Sequence, residues 1–337
     1  MTDQKATIVL TGANGGLGSA IASKLVSTPG FAAFYGLYVV RDASKASHSH
    51  AVLSMDLTNL ANVRKVAADI NARVAAGEIP PIRALVLNAG WGEFASQTWT
   101  DDGFDIAFAA NYLSHWLLTL LLLESMDREL GRIVVIGSVA HDPYAPQNNS
   151  VGQFNDDKWK PIFHDSTEPI AKGTWSTATD DPSWRAGFRR YAASKLCQLM
   201  MVGELQRRLD EDPVLKDISV LGVDPGTMNS PMMRRAPWIL RVVVFQFMVG
   251  IVSGIFDYIW PHPLWRTTWR SAGDVVSAAL DSGPGIGLRP KGLYFDGPKR
   301  AEMYAEARDP EKQLILWRDS VRYTSLKEGD STLFNWK

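Results

Sequence analysis

Tyr191 and Lys195 stand four positions apart in Tyr191-Ala192-Ala193-Ser194-Lys195. On a helix this spacing puts a phenol and an ammonium on one face. A cation beside a phenol favours the tyrosinate, so such a pair can pass a proton to or from an oxygen near neutral pH. The pair alone is a weak signal, because ordinary solvated helices carry the same spacing. Ser138, in Gly137-Ser138-Val139 behind an apolar run, offers a hydroxyl to hold the reacting oxygen, or simply a serine turn. Asn111 falls inside an apolar helical stretch. There its amide can hold a water, bend the backbone and extend a proton relay from Lys195, or be a satisfied buried amide. His115, one turn later among Trp and Leu neighbours, reads as packing rather than as an acid or base.

A second constellation suits phosphate. Thr11-Gly12-Ala13-Asn14-Gly15-Gly16-Leu17-Gly18 follows the apolar run Ala6 to Leu10. Glycine at 12, 16 and 18 allows a tight turn and close approach of backbone to a dinucleotide. The helix that follows supplies free amide donors and a favourable dipole. The spacing is the wider TGxxxGxG form rather than GxGxxG. Arg41 ends the second apolar run, where a guanidinium can pair with a ribose 2′-phosphate and an acidic residue would favour the free diol. Asp42 beside it complicates the choice, which still favours NADP(H) over NAD(H). Asp56 can accept from an adenine amino group or cap the next helix. Asn88-Ala89-Gly90 can pack on adenine and ribose or merely turn the chain.

The elements that must position these groups alternate. Apolar strands are expected at Ala6 to Leu10, Gly36 to Val40, Ala51 to Met55, Ile82 to Leu87, Arg132 to Ile136, Ile218 to Val223 and Leu293 to Phe295, with helices between them. Continuous apolar strands separated by helices predict a parallel sheet covered on both faces. The expected fold is α/β: a doubly wound, Rossmann-like, seven-stranded parallel sheet flanked by helices, forming one domain over 1–337. Two stretches break the rhythm. Residues 142–186 are rich in Pro, Asp, Asn and Trp and read as an inserted substrate lid. Residues 228–271 are apolar and read as a cap over the substrate cleft, with 238–260 offering peripheral membrane contact or an oligomer interface as alternatives.

The composition narrows the class. The chain has 337 residues, 46% hydrophobic, with 35 basic and 36 acidic side chains. Such balance gives no general surface for nucleic acid. Cys197 is the only cysteine, which excludes a disulfide-stapled secreted fold. None of the six histidines sits at a metalloprotease or cysteine-pair spacing, so no metal site is expected. Met1 to Lys5 brings no secretory apolar region, and a cytoplasmic location is expected.

Taken in order, these motifs resemble the short-chain dehydrogenase/reductase family over roughly residues 5–300. The resemblance makes Thr11 to Gly18 the cofactor loop, and Asp56-Leu57 and Asn88-Ala89-Gly90 the adenine and sheet motifs. It makes Asn111, Ser138, Tyr191 and Lys195 a catalytic tetrad, with Lys195 also holding ribose. Asp224-Pro225-Gly226-Thr227 becomes the segment that covers nicotinamide, with Pro225, Gly226 and Thr227 touching the cofactor. Gly131 to His141 is similar to the retinol-dehydrogenase-like and ketosteroid-reductase-like branches, many of which use NADP(H) and bulky apolar substrates. The implied activity is reversible reduction of a bulky lipophilic ketone or aldehyde, or oxidation of the alcohol. Rival expectations are a noncatalytic dinucleotide-binding scaffold and an epimerase or dehydratase. The chain departs from the family in the 53 positions from Ser138 to Tyr191, a far longer interval than usual. Trp159, Phe163, Trp175, Trp184 and Phe188 there can line a cleft or form a satellite core.

Overall fold

The computed structural model describes residues 5–31, 33–45, 51–94, 96–149, 152–228 and 265–337. The apolar runs form β1 (Ala6–Thr11), β2 (Phe34–Val40), β3 (Ala51–Ser54), β4 (Ile82–Leu87), β5 (Arg132–Ile136), β6 (Ser219–Asp224), β7 (Tyr294–Asp296) and β8 (Lys299–Ala301). They make one eight-stranded sheet in the order β3-β2-β1-β4-β5-β6-β7-β8. The strands from β3 to β7 run parallel, and β8 pairs antiparallel with β7. The sequence predicted seven strands. The eighth is Lys-Arg-Ala, too short and too charged to announce itself, and its turn at Gly297 folds it back on β7.

Successive strand residues face opposite sides, and both sides are buried. Val9, Leu85, Leu87, Ile133 and Val135 join one core, while Ile8, Leu10, Ala84, Val86 and Val134 join the other. Helices α1 (Gly16–Ser27) and α5 (Thr268–Leu280) cover the second core through Leu17, Ile21, Ala272 and Val275. Helices α2 (Leu60–Ala75), α3 (Ser114–Leu122), α4 (Trp184–Glu211) and α6 (Pro310–Thr324) cover the first. Capping side chains mark several starts: Asn59 accepts from the Asn62 amide at 2.9 Å, and Ser183 from the Arg185 amide at 3.3 Å. The chain enters α3 through a π-helical turn, Phe108–Leu113, which contains Asn111.

The long excursion between β5 and α4 is built into the first core. Phe154, Ile162 and Phe163 are fully buried there. Amides of Ile162 and Phe163 donate to the Glu306 carboxylate at 3.0 and 3.1 Å, and Lys312 neutralises it. From α4, Arg189 reaches back to Ser176, the Gln153 carbonyl and Asp181. Arg190 ion-pairs with Asp105 at 3.1 Å and also donates to the Ser176 and Ser96 carbonyls. Asp181 thus anchors the excursion to α4. Most of the apolar stretch 228–271, including 238–260, lies outside the described residues. Among the described residues no helix is long and apolar enough to cross a membrane, and no cluster of metal ligands occurs.

Candidate active site

The strand order reverses direction between β1 and β4, the switch point where open α/β sheets bind ligands beyond their carboxyl ends. The sequence-selected groups gather at that end. Thr11 closes β1, Asn88 to Gly90 follow β4, Ser138 follows β5, and Asp224 closes β6.

The glycine loop has the shape its sequence implies. Gly12 has φ +69°, and a Cβ there would sit 2.8 Å from Ala89 Cα. A Cβ on Gly18 would strike the Gly12 carbonyl oxygen and the Asn88 amide. Gly15 precedes α1 without any side-chain cap, and no acidic residue occupies the first turn. The start of α1 therefore keeps the donor-rich, uncapped form that suits a pyrophosphate. Gly16 and Leu17 open this helix, and Asn14 is exposed on the loop before it. Asn88 pins the turn by donating from Nδ2 to the Thr11 carbonyl at 2.8 Å. The residues present fit a dinucleotide.

Arg41 is exposed at the end of β2, its guanidinium 5.8 Å from the centre of the Trp91 ring. The Asp42 carboxylate accepts from the Ser44 amide at 3.1 Å and hydroxyl at 2.6 Å. Asp56 accepts from the Thr58 amide and hydroxyl at 2.9 and 2.7 Å, while the cap of α2 falls to Asn59. The Leu57 carbonyl accepts from the Ser114 hydroxyl at 2.6 Å, which ties this corner to α3.

Ser138, Tyr191, Lys195 and Asn111 are brought to one place. The Tyr191 phenol is buried, with the Ser138 side chain near enough to favour its ionised form. Phe94 and Phe188 flank its ring at 6.4 and 6.2 Å, and Trp184 lies edge-on to Phe188 at 6.0 Å. Phe163 instead fills the core, and Trp159 and Trp175 pair with each other at 5.5 Å. The five aromatic residues of the insert region therefore divide, with Trp184 and Phe188 on the tyrosine side. Asn111 holds the loop after β4 by a reciprocal pair with Trp91: its Oδ1 accepts from the Trp91 amide at 2.6 Å and its Nδ2 donates to the Trp91 carbonyl at 3.0 Å. The same Nδ2 donates to Ser194 at 2.8 Å, on the helix of Tyr191.

The electrostatics differ from the sequence expectation of a tyrosine acidified by its lysine. Lys195 Nζ donates to the Ile136 carbonyl at 2.8 Å and to Gln198 at 2.7 Å. Burial, rather than any partner, dominates the phenol and pushes its pKa well above the ordinary tyrosine value; Ser138 opposes and Asp224 adds to the rise. Burial pulls Lys195 down to about 7, against the attraction of Asp224. Asp224 itself is pushed up to about 6 by burial. Its carboxylate accepts from the Gly226 amide at 2.8 Å, and the Val139 amide of the serine turn lies near enough to oppose the rise. The sequence placed Asp224 at the head of the nicotinamide-covering segment but gave it no role of its own. Pro225, Gly226 and Thr227 are pinned from the other side: Ser271 donates to the Pro225 carbonyl at 2.6 Å and the Arg266 amide to the Thr227 carbonyl at 2.9 Å.

Comparison with known proteins agrees with this architecture. Residues 6–150 match the family model described as short chain dehydrogenase. A short-chain dehydrogenase of Talaromyces variabilis is 42% identical over 99% of this chain and 100% of its own. A polyprenol dehydrogenase of Mus musculus is 29% identical over 97% of this chain and 86% of its own. The NADPH-bound carbonyl reductase from chicken fatty liver shares the fold at a TM-score of 0.56, covering 89% of this chain and all of that one at 15% identity. The chain belongs to the short-chain dehydrogenase/reductase family, oxidoreductases that bind a nicotinamide dinucleotide and act on a small molecule.

Proposed function

We propose that this protein is an NADP(H)-dependent carbonyl reductase, running in reverse as an alcohol dehydrogenase, on a bulky lipophilic ketone, aldehyde or secondary alcohol. One observation carries the reading: a buried phenol, Tyr191, that burial keeps neutral, brought beside Ser138 at the carboxyl end of the sheet. A phenol that burial keeps neutral is the form needed to give a proton to a carbonyl oxygen as it gains electrons. Ser138 holds that oxygen, and Lys195 keeps positive charge behind the phenol at 5.7 Å from the ring centre. Asn111 fixes the phenol's helix against the loop after β4. Phe94, Phe188 and Trp184 give the tyrosine an apolar flank, which favours a lipophilic substrate.

Thr11, Gly12, Asn14, Gly16, Leu17 and Gly18 would hold the phosphates. Asp56, Leu57, Asn88, Ala89 and Gly90 would hold adenine and its ribose, and Arg41 the 2′-phosphate. Lys195 and Pro225-Gly226-Thr227 would hold the nicotinamide end. When bound, the cofactor supplies the hydride.

The test is a panel of lipophilic ketones and aldehydes with NADPH and NADH, following cofactor absorbance and product mass. Tyr191→Phe is expected to lose about a hundredfold or more in turnover while still binding NADPH. Retained turnover in that variant overturns the reading. Arg41→Ala is expected to weaken NADPH binding roughly tenfold more than NADH binding; equal losses overturn the cofactor preference.

A further inference from the structure

Two histidines outside the proposed proton path make the same contact with two different members of the site. His141 Nδ1 lies 2.7 Å from the Ser138 carbonyl oxygen. His115 Nδ1 lies 2.8 Å from the Asn111 carbonyl oxygen. A carbonyl oxygen only accepts, so Nδ1 carries the proton in both rings. Each Nε2 must then accept, and each meets a donor. The Tyr304 amide donates to His141 Nε2 at 3.1 Å. The Thr11 hydroxyl lies 3.0 Å from His115 Nε2. That hydroxyl already accepts from the amides of Asn88 and Ala89 at 2.9 and 3.0 Å, and for its own proton His115 Nε2 is nearer than the Val86 carbonyl, which lies at 3.4 Å. The networks therefore assign both rings the neutral Nδ1–H tautomer. Both rings are buried. Burial lowers both pKa values, that of His115 to about 4, which keeps them uncharged.

We propose that His115 and His141 are positioning residues, each a neutral clasp that fixes the main chain of a site residue through one Nδ1–H bond. His141 sets the serine turn. Ser138 also accepts at Oγ from the Ala140 amide, at 3.2 Å, so rotation of its backbone would carry the hydroxyl away from Tyr191. The Tyr304 amide anchors this clasp to the chain beyond β8. His115 sets the π-helical turn. Its chain of bonds runs from the Asn88-Ala89 turn through Thr11 and the imidazole to Asn111, and onward to Ser194 on α4. It thereby joins the adenine side of the groove to the helix of the phenol. The two clasps thus differ in reach: loss of His115 disturbs cofactor binding and turnover, and loss of His141 disturbs turnover alone.

The proposal rests on the Ser138–Tyr191 reading, and the experiment separates the two. Variants His141→Leu, His141→Asn and His141→Gln, with the same series at position 115, are assayed with NADPH and the fastest ketone of the panel. Rates are normalised to sites that bind NADPH, so unfolded protein does not count. His141→Leu is expected to lose about tenfold in kcat with NADPH affinity unchanged. His115→Leu is expected to lose a similar factor in kcat and about fivefold in NADPH affinity. Asn carries its amide donor near the place of Nδ1 and is expected to recover most of the loss; Gln carries it near Nε2 and is expected not to. A merely structural filler would rank by size, with Leu and Gln above Asn, and that ranking overturns the proposal. So does full kcat in both Leu variants while Tyr191→Phe is inactive. Turnover retained in Tyr191→Phe overturns the site reading and the clasps with it. Independently of activity, nitrogen-15 NMR of histidine-labelled protein with NADPH is expected to show two buried Nδ1–H tautomers; Nε2–H at either position overturns that clasp.

Discussion

At the scale of single residues, the site is a set of polar groups that burial has stripped of water. Asp224 is the sharpest case. Burial pushes its carboxyl from 3.8 to about 6, with Asp296 adding to the rise and Arg266 opposing it. Tyr191 and Lys195 face it from α4, and Tyr294 faces it from β7. A raised acid pKa in the folded chain is a stabilising contribution that is complete below the ordinary value and lost as pH rises through about 6. Asp224→Asn is therefore expected to lose less stability than wild type between pH 5 and pH 7, about 1 kcal/mol less by urea midpoint. Its charge also raises the Tyr191 pKa, so the same variant is expected to shift the alkaline limb of the ketone-reduction profile to lower pH. An unmoved limb would remove Asp224 from the electrostatics of the phenol. Tyr191, Ser138 and Lys195 could be proposed from the sequence only jointly, because each is a weak signal alone and their order with the glycine loop is what resembles a family. The roles of Asp224 and the two histidines could not, because their partners lie on other elements: Lys195 of α4 faces Asp224, and His141 meets Tyr304.

At the scale of elements, the loop between β1 and α1 has the least freedom to change. The Gly18 Cα faces the Gly12 carbonyl so closely that even a methyl collides with backbone. Backbone cannot rotate aside as a flexible side chain can. Gly18→Ala is expected to weaken NADPH binding about tenfold or more, measured by quenching of tryptophan fluorescence, with a smaller effect on the urea midpoint. The strands and most helices were legible because continuous apolar runs of strand length, set between periodic segments, have few other solutions. The π-helical turn at Phe108–Leu113 was not. Its one-residue widening leaves no compositional mark; a bend at Asn111 was one of the alternatives the sequence offered, and the turn contains that residue.

At the scale of the whole molecule, β8 and the insert show what local pattern cannot supply. Lys299–Ala301 has no apolar signature and becomes a strand only because β7 presents an edge to it. The insert looked like a loop because its apolar residues are scattered, yet Phe154, Ile162 and Phe163 complete the core that α4 and α6 share. The ion pair of Arg190 with Asp105 joins this assembly to the approach to the π-helical turn, and both side chains are nearly inaccessible, at 5% and 3%. Asp105→Ala strands a buried guanidinium and is expected to cost about 3–5 kcal/mol by urea denaturation. A loss near that of a surface substitution would show that the pair is replaceable by water. The excursion between β5 and α4 is therefore masonry, not ornament. Trimming it would leave Glu306 and Lys312 facing a hole, and the helix that presents the phenol would lose the wall it leans on.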